Sequence, residues 1–206
     1  GDDERRPGPD HRLIPRNAPA LFDAGSPLVN ALFWDARIQR VDGESIMYDD
    51  GPSASKRPRT VLPEGLDSLL SAQVLFPLAD RDEMKGDAGE LDIFGVPNEL
   101  AAVADMDFES LWRAIVRRIV ETEGYHPLLS AAYPDQAVDA FEPVQMANAL
   151  AAFIATTYQT RPTAFDAFVL GDDQALSERA RTGAALFYGE AQCAVCHNGP
   201  LLSDER

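Results

Sequence analysis

Two cysteines and a histidine stand close together near the end of this 206-residue chain. Cys193 and Cys196 are separated by two residues, and His197 follows directly. This C-x-x-C-H spacing is the attachment signature of a c-type haem, in which each thiol forms a thioether bond to a vinyl group. The histidine then lies under the ring and can ligate the iron. The motif therefore predicts one covalent haem c on this chain, with His197 as an axial ligand.

Two other interpretations of the cysteine pair are a thioredoxin-type redox motif and half of a zinc site. A redox pair is expected after a strand in a βαβ pattern, and no such pattern precedes Cys193. A structural zinc site needs four ligands. These are the only two cysteines of the chain, and its other histidines are the distant His11 and His126. The spacing therefore favours haem attachment.

The charge of the chain bounds its partners. Acidic residues outnumber basic ones by 34 to 18, which gives a formal net charge of −16. This charge argues against nucleic acid as a partner, because contacts to phosphates need a basic surface. It is compatible with attracting a basic partner, such as a small electron-carrier protein. It fits equally well with the ordinary solubility of an exported acidic protein.

The ends and the hydropathy of the chain bear on its location. No apolar run approaches the ~20 residues that a membrane span needs, so no membrane span is expected. The sequence has neither an initiator methionine nor a signal peptide, and we interpret it as a mature or processed piece. Because haem is attached to c-type cytochromes outside the bacterial cytoplasm, we expect a periplasmic protein.

Helical patterns dominate wherever the periodicity of the sequence is clear. One apolar stripe follows the i, i+3, i+4, i+7 spacing of a helix, and Asp107 is placed to cap its first turn. Its members are Phe108, Leu111, Trp112, Ile115, Val116 and Ile119. Further helices are predicted over 63–75, from near Pro143 and from about Asp173. The inward residues of the helix near Pro143 are expected to be Met146, Ala149, Leu150, Phe153 and Ile154.

Irregular stretches separate these helices. Residues 1–19 carry four prolines, and the glycine, proline and serine residues of 42–63 break any period. No alternating strand pattern is convincing, and no internal repeat is present. Loops of this length are usually functional or disordered, and these ones mix charged with large apolar residues. The predicted fold class is therefore all-α with long ordered loops.

Four segments, in their order along the chain, resemble one protein family. They are RNAPALF (16–22), LFWDARIQ (32–39), QVLFPLADRDEMKG (73–86) and TGAALFYGEAQCAVCHNGPLLSDER (182–206). The segment PTAFDAFVLGDDQALSERA (162–180) lies where that family has a similar bridging segment. Together they are similar to the bacterial di-haem cytochrome c peroxidases and their relatives of the MauG type.

The resemblance implies two cytochrome c-like haem domains, each α-helical and each with one covalent haem. Residues 1–171 would form most of the N-terminal, peroxide-reacting domain without its CxxCH motif. Residues 172–206 would begin the C-terminal domain. The chain itself would carry one haem c and the complete protein two. We therefore expect an internal portion of a longer protein.

The resemblance also implies roles for individual residues. Trp34 matches a tryptophan between the two haems that helps electrons to pass, whereas a buried core tryptophan is the alternative. Glu83 matches the acid-base over the peroxide-reacting haem, and an apolar pocket can raise the pKa of such a carboxyl. Its alternative is a solvated surface charge. Met84 matches a methionine that packs against the haem, and Gln73 matches a position that supports the pocket.

Two further matches concern metal ligands. His11 lies where the classical peroxidases have a histidine that ligates the N-terminal haem iron in the resting form, and its alternative is an exposed loop histidine. Asn17 matches a residue that lines a calcium site between the two domains of the family. Its side-chain carbonyl suits a hard cation. Asp35 and Arg37 are expected to hold the turn around Trp34 by ion pairing and hydrogen bonds.

Three functions remain as hypotheses. The first is a peroxidase that reduces hydrogen peroxide with electrons from a small cytochrome c or a cupredoxin. The second is a MauG-like enzyme that oxidises tryptophan or other side chains of a partner protein. The third is a c-type electron carrier without catalysis, which would have no need for the carboxylate of Glu83 beside an open iron. Whether the functional unit is a homodimer is left open by the sequence.

Overall fold

The computed structural model describes residues 17–41, 45–48, 62–92, 94–160, 162–199 and 201–202. Seven α-helices lie in this part of the chain: α1 (Leu69–Gln73), α2 (Glu99–Ala102), α3 (Phe108–Glu121), α4 (His126–Ala132), α5 (Pro143–Thr157), α6 (Ala164–Val169) and α7 (Glu178–Tyr188). Short 3-10 turns occupy Pro77–Ala79, Glu123–Tyr125, Val138–Ala140 and Cys193–Val195, and a single π-helical turn spans Arg81–Lys85. The mostly helical prediction is confirmed.

A small antiparallel sheet precedes the helices. Its strands are β1 (Ala31–Leu32), β2 (Ile38–Val41) and β3 (Ser45–Tyr48), with β2 in the centre. Ile38 pairs with Leu32 on one side and with Tyr48 on the other. The prediction of a fold without strands is therefore wrong for this part of the chain. Strand β3 even lies within residues 42–63, a stretch that was expected to be irregular. Each strand is at most four residues long, too short for an alternating pattern to stand out.

Helix α3 follows its prediction closely. It begins at Phe108, directly after Asp107, whose carboxylate accepts a hydrogen bond from the backbone N–H of Ser110 at 3.2 Å. This contact satisfies one of the amides that a helix start leaves without an intrahelical partner. The stripe residues buried in α3 are Leu111, Trp112, Ile115 and Val116.

The helix predicted over 63–75 is shorter than expected and begins at Leu69. Ser68 has extended backbone angles, and its hydroxyl oxygen accepts a hydrogen bond from the N–H of Ser71 at 3.1 Å. A serine N-cap of this kind marks where the helix starts. The apolar residues before Ser68 are therefore part of a turn.

The main core lies where the sheet, α1, α3 and α5 meet. The indole N–H of Trp112 donates a hydrogen bond to the carbonyl oxygen of Leu75 at 2.9 Å in this core. Phe76 packs edge-on against the Trp112 ring, and Phe108 stacks on it. Trp112 is therefore the core residue that its place on the stripe predicts.

Helix α5 faces the core only partly as predicted. Ala147, Ala151 and Ile154 are buried, whereas Leu150 and Phe153 are exposed. The contact of α5 with Gly25 is close, because a Cβ added to Gly25 would lie 2.4 Å from the Cβ of the partly buried Ala155. The prediction is confirmed for Ile154, and Met146 packs partly buried against the core. It is wrong for Ala149, Leu150 and Phe153, which are exposed, because the close contact needs small side chains.

The last two helices, α6 and α7, contribute little to the core. Helix α7 begins at Glu178, later than the expected Asp173, because the hydroxyl of Ser177 caps its first turn. In the described residues between 162 and 202, no side chain is fully buried. Phe165 stacks on Tyr188, which joins α6 to the end of α7.

Candidate functional site

A cavity of about 500 Å³ lies beside β1 and the end of α1. Its lining residues are Asn17, Pro19, Ala20, Ala31, Leu32, Phe33, Trp34 and Gln73. Three residues that the sequence singles out thus face the same space, namely Asn17, Trp34 and Gln73. Gln73, the last residue of α1, is buried. The cavity combines apolar walls with two side-chain amides and an indole.

Trp34 lies in a tight turn between β1 and β2 and is 68% exposed. The alternative of a buried core tryptophan is therefore wrong. The flanking residues Phe33 and Ala36 have left-handed backbone angles, with φ of 66° and 54°. Such angles are uncommon for residues other than glycine and persist only where the surroundings hold them.

Asp35 and Arg37 hold this turn, as predicted. The Asp35 carboxylate accepts hydrogen bonds from the Arg37 Nε at 3.0 Å and from the Arg37 backbone N–H at 3.3 Å. The Arg37 guanidinium lies 4.3 Å from the centre of the Phe33 ring, within the range of a cation–π contact. The turn that presents Trp34 is thereby fixed at both ends.

Glu83 lies in the π-helical turn Arg81–Lys85. The backbone N–H of Lys85 donates to the carbonyl oxygen of Asp80 at 2.9 Å, and that of Gly86 donates to Arg81 at 3.2 Å. Both are i to i−5 bonds, which define a π-turn, and such turns are frequent at functional sites. The turn leaves Glu83 and Met84 exposed and buries Lys85. Met84 therefore has an open side chain that could contact a cofactor.

The pKa of Glu83 is raised above its ordinary value. Although the side chain as a whole is exposed, protein atoms around the carboxyl remove part of its water, and this desolvation is the main cause. The negative charge of Asp80 raises the pKa further, and the positive charge of Arg37 lowers it. A raised pKa brings a carboxyl closer to the working range of a general acid-base. Because Arg37 acts on Glu83, the turn that carries Trp34 and the π-turn lie within electrostatic range of each other.

The effect of Asp80 and Arg37 on the pKa of Glu83 was not predicted from the sequence. Asp80 also caps the π-turn, since its carboxylate accepts a hydrogen bond from the Asp82 N–H at 2.8 Å. An aspartate just before a helical turn is a signal that could have identified this residue. The influence of Arg37 on Glu83 had no local signal, because the two are 46 positions apart in the sequence.

The C-x-x-C-H motif forms a short turn that begins with Cys193. The backbone N–H groups of Cys196 and His197 both donate to the Cys193 carbonyl oxygen, at 3.2 and 2.9 Å. Both thiols are free, and the ring Nδ1 of His197 lies 3.1 Å from the carbonyl oxygen of Leu202. A carbonyl oxygen only accepts, so Nδ1 carries the proton and the Nε2 lone pair is available to a metal.

This donor set fits a covalent haem. Two free thiols and one imidazole nitrogen stand on a single exposed turn, as thioether attachment and axial ligation require. Among the residues that the structure describes, no group of three histidine, cysteine, aspartate or glutamate side chains converges to hold a metal ion.

No helix in the described part is long and apolar enough to cross a membrane.

Two candidate metal ligands remain predictions. His11 lies outside the described residues. Asn17 is exposed and lines the cavity, and its role as a calcium ligand stays a prediction. Glu83 does not line the cavity that Asn17, Trp34 and Gln73 share.

The family model of the di-haem cytochrome c peroxidases, CCP_MauG, matches residues 1–174. The chain belongs to the di-haem cytochrome c peroxidase family. This confirms the resemblance seen in the sequence, and it rests on a region that ends before the C-x-x-C-H motif. The peroxidase family assignment therefore does not depend on that motif.

Two relatives support this family assignment. The chain is 28% identical over 205 residues to the methylamine utilization protein MauG of Methylophilus methylotrophus, which covers 96% of this chain and 58% of that protein. It is 49% identical over 57 residues to the cytochrome-c peroxidase IdrP2 of Pseudomonas sp. strain SCT, and this matched segment covers 28% of this chain and 15% of that protein. It thus spans little more than half the length of the first relative. No solved structure matches this peroxidase-family chain.

Proposed function

We propose that this chain is part of a haem enzyme that reduces hydrogen peroxide with electrons delivered through a second haem. The observation that carries the proposal is Glu83, an exposed carboxyl of raised pKa on a π-turn within electrostatic range of Arg37 in the Trp34 turn. When bound, the haems supply the electrons and the iron at which the O–O bond is cleaved.

Glu83 would move the proton that this reaction needs. Its carboxylate accepts the proton of the near peroxide oxygen and returns it to the departing oxygen. With two electrons and two protons in total, one hydrogen peroxide becomes two water molecules. The Asp80 and Arg37 charges would tune this carboxyl in opposite directions.

Cys193, Cys196 and His197 would hold the second haem. The two thiols would form the thioether bonds, and the free Nε2 of His197 would coordinate the iron. The hydrogen bond from His197 Nδ1 to the Leu202 carbonyl oxygen fixes the tautomer and the orientation of the ring. The haem content would be one haem c on this chain and two in the complete protein.

The cavity residues would support electron transfer and the peroxide pocket. Trp34, exposed next to the cavity, would lie between the haems and pass electrons, and Gln73 would support the wall. Met84 would pack against the haem next to Glu83. Asn17 would contribute to a calcium site, and His11 would be a further iron ligand in the resting form.

The complete protein would have two haem domains, divided near residue 171. Two observations support this boundary: the family match ends at residue 174, and no side chain is fully buried in the described part after residue 162. Electrons would come from a small cytochrome c or a cupredoxin, and the negative charge of the chain would attract a basic carrier. Haem attachment outside the cytoplasm supports a periplasmic location.

A second candidate is the oxidation of a partner protein's side chains. It is favoured by the 28% identity to a methylamine utilization protein MauG, which extends over 96% of this chain. Peroxide-dependent oxidation of a reduced cytochrome c would favour the peroxidase. Peroxide-dependent modification of tryptophan in a partner protein would favour this second candidate. An electron carrier without catalysis would have no use for a carboxyl of raised pKa at Glu83.

The test is the substitution Glu83→Gln in the complete, haem-loaded protein. Peroxide turnover should fall at least about 100-fold, because general acid-base catalysis contributes that much or more. The haem absorption spectrum should stay unchanged. Glu121→Gln, at the exposed end of α3, is the matched control and should keep full turnover. Near wild-type turnover in Glu83→Gln would refute the proposed role of this carboxyl.

A further inference from the structure

Lys85, the last residue of the π-turn that carries Glu83, has a buried side chain. It is 2% exposed, although lysine is almost never fully buried unless it is paired. Its Nζ donates a hydrogen bond to Oδ1 of Asp105 at 2.8 Å. The Asp105 side chain is exposed, so the pair joins a buried cation to a carboxylate at the surface. The proposed reaction assigns nothing to either residue, and the burial of Lys85 needs a separate account.

Arg81, at the other end of the π-turn, binds the same carboxylate oxygen. Its Nε donates to Oδ1 of Asp105 at 2.8 Å. Its NH1 donates to the carbonyl oxygen of Gly86 at 2.8 Å, which ties the first residue of the turn to the residue that follows its end. Gly86 has a φ of 76°, an angle that glycine adopts without strain. One aspartate therefore anchors both ends of a five-residue turn.

The anchor connects the turn to the helical core. Asp105 lies in the loop between α2 and α3, and Asn98, the N-cap of α2, donates its amide Nδ2 to the carbonyl oxygen of Lys85 at 3.0 Å. Asn98 also accepts a hydrogen bond from NH2 of Arg118 in α3 at 3.1 Å. The turn is thus held by two side chains that flank α2, Asn98 and Asp105. Leu100 and Ala101 of α2 are buried.

Glu83 lies between the two anchored residues, Arg81 and Lys85, in the π-turn. Backbone hydrogen bonds to Asp80 and Arg81 close the turn itself. The side-chain contacts of Arg81 and Lys85 with Asp105 fix where the turn lies against the loop before α3. An acid-base must be held near its productive position, and a shift of about 1 Å can cost about 100-fold in rate. We propose that Arg81, Lys85 and Asp105 form a clamp of positioning residues that holds Glu83 towards the peroxide, an inference that rests on the proposed function.

The first test is Asp105→Ala in the complete, haem-loaded protein. The turnover number per haem should fall at least about tenfold, because Glu83 loses its fixed position. The haem absorption spectrum should not change, because the clamp lies outside the attachment motif. Lys85→Arg keeps a cation for Asp105 and should retain more turnover than Lys85→Met. Glu109→Ala breaks the exposed Arg113 pair on α3 and should leave turnover at the wild-type level.

The second test separates the clamp from a merely structural role. In the Glu83→Gln background, Asp105→Ala should cause no further loss of turnover, since residues that act as a unit are not additive. A further loss of the same factor, or turnover within twofold of wild type in Asp105→Ala alone, would overturn the clamp. Asp105→Asn, of nearly the same size, is judged by the same readouts if Asp105→Ala does not accumulate. Full turnover in Glu83→Gln alone would instead overturn the proposed function, and the clamp with it.

Discussion

The indole N–H of Trp112 and the carbonyl oxygen of Leu75 form a buried hydrogen bond of 2.9 Å. This bond joins the middle of α3 to the chain just after α1, where Phe76 also packs edge-on against the Trp112 ring. The carbonyl oxygen follows a five-residue helix that ends at Gln73. The same contact therefore connects the helical core to the wall of the cavity.

Trp112→Ala should lower the free energy of unfolding by about 3–5 kcal/mol, the usual cost of removing a large buried aromatic side chain. Trp112→Phe should cost less, but it leaves the buried Leu75 carbonyl oxygen without its partner, which costs about 1–3 kcal/mol. Urea unfolding measures both changes. Phe153→Ala, at a position 57% exposed, is the control and should change the free energy of unfolding by less than either. Equal losses at Phe153 and Trp112 would contradict this account of the core.

Gly25→Ala should destabilise the protein by about 1–3 kcal/mol, as overpacking of a core contact does. The added methyl would lie 2.4 Å from the Cβ of Ala155 and 3.0 Å from its Cα, so α5 would have to move away. Gly124→Ala is the matched control, because nothing lies within 4 Å of its added methyl. A thermal unfolding experiment on the two variants compares them directly. Equal melting temperatures would show that α5 moves at no cost.

The pH dependence of peroxide turnover should report Glu83. A base must be deprotonated to accept the peroxide proton, so turnover falls as the pH drops through the pKa of Glu83. Because that pKa is raised, mainly by desolvation, the fall should lie above the ordinary pKa of a glutamate. Rates per haem across the acid range give the midpoint, and Glu83→Gln should remove this limb.

The two neighbouring charges should move that midpoint in opposite directions. Asp80→Asn removes a negative charge that raises the pKa of Glu83, so the midpoint should shift to lower pH, while the asparagine can still cap the turn. Arg37→Gln removes a positive charge that lowers the pKa, so the midpoint should shift to higher pH. Shifts in the same direction would contradict the assigned charges.

Haem attachment should require both cysteines. The denaturing intact mass of the wild-type chain should include one haem, because thioether bonds survive unfolding. Replacing Cys193 and Cys196 together by alanine should remove this mass completely. His126→Ala changes a histidine outside the motif and should keep the haem. A wild-type mass without haem would disprove the interpretation of the motif.

The sequence predicted the elements whose signals are local. Asp107 and the stripe behind it defined α3, because a cap and a period of 3.6 residues lie within one segment. The two cysteines and His197 defined their turn for the same reason. The start of α7 was placed too early because the periodic residues continue before Ser177, whose capping hydrogen bond is a finer signal than periodicity.

Features that depend on distant parts of the chain could not be predicted. The strands pair across turns, and Ile38 has neighbours on both sides only after folding. The outward direction of Phe153 depends on how closely α5 approaches Gly25. The influence of Arg37 on Glu83 and the two cations on Asp105 join segments 20 or more positions apart, and no local pattern encodes such a meeting.

The π-turn at Arg81–Lys85 makes chain length itself a determinant of the site. Such a turn holds one residue more than an α-helical turn. Removing any one residue would let the turn close in α-helical register and would rotate the side chains that follow by about 100°. Conservative substitutions in this segment can keep Glu83 exposed and Lys85 buried, whereas a one-residue deletion would turn the side chains that follow it away from these directions.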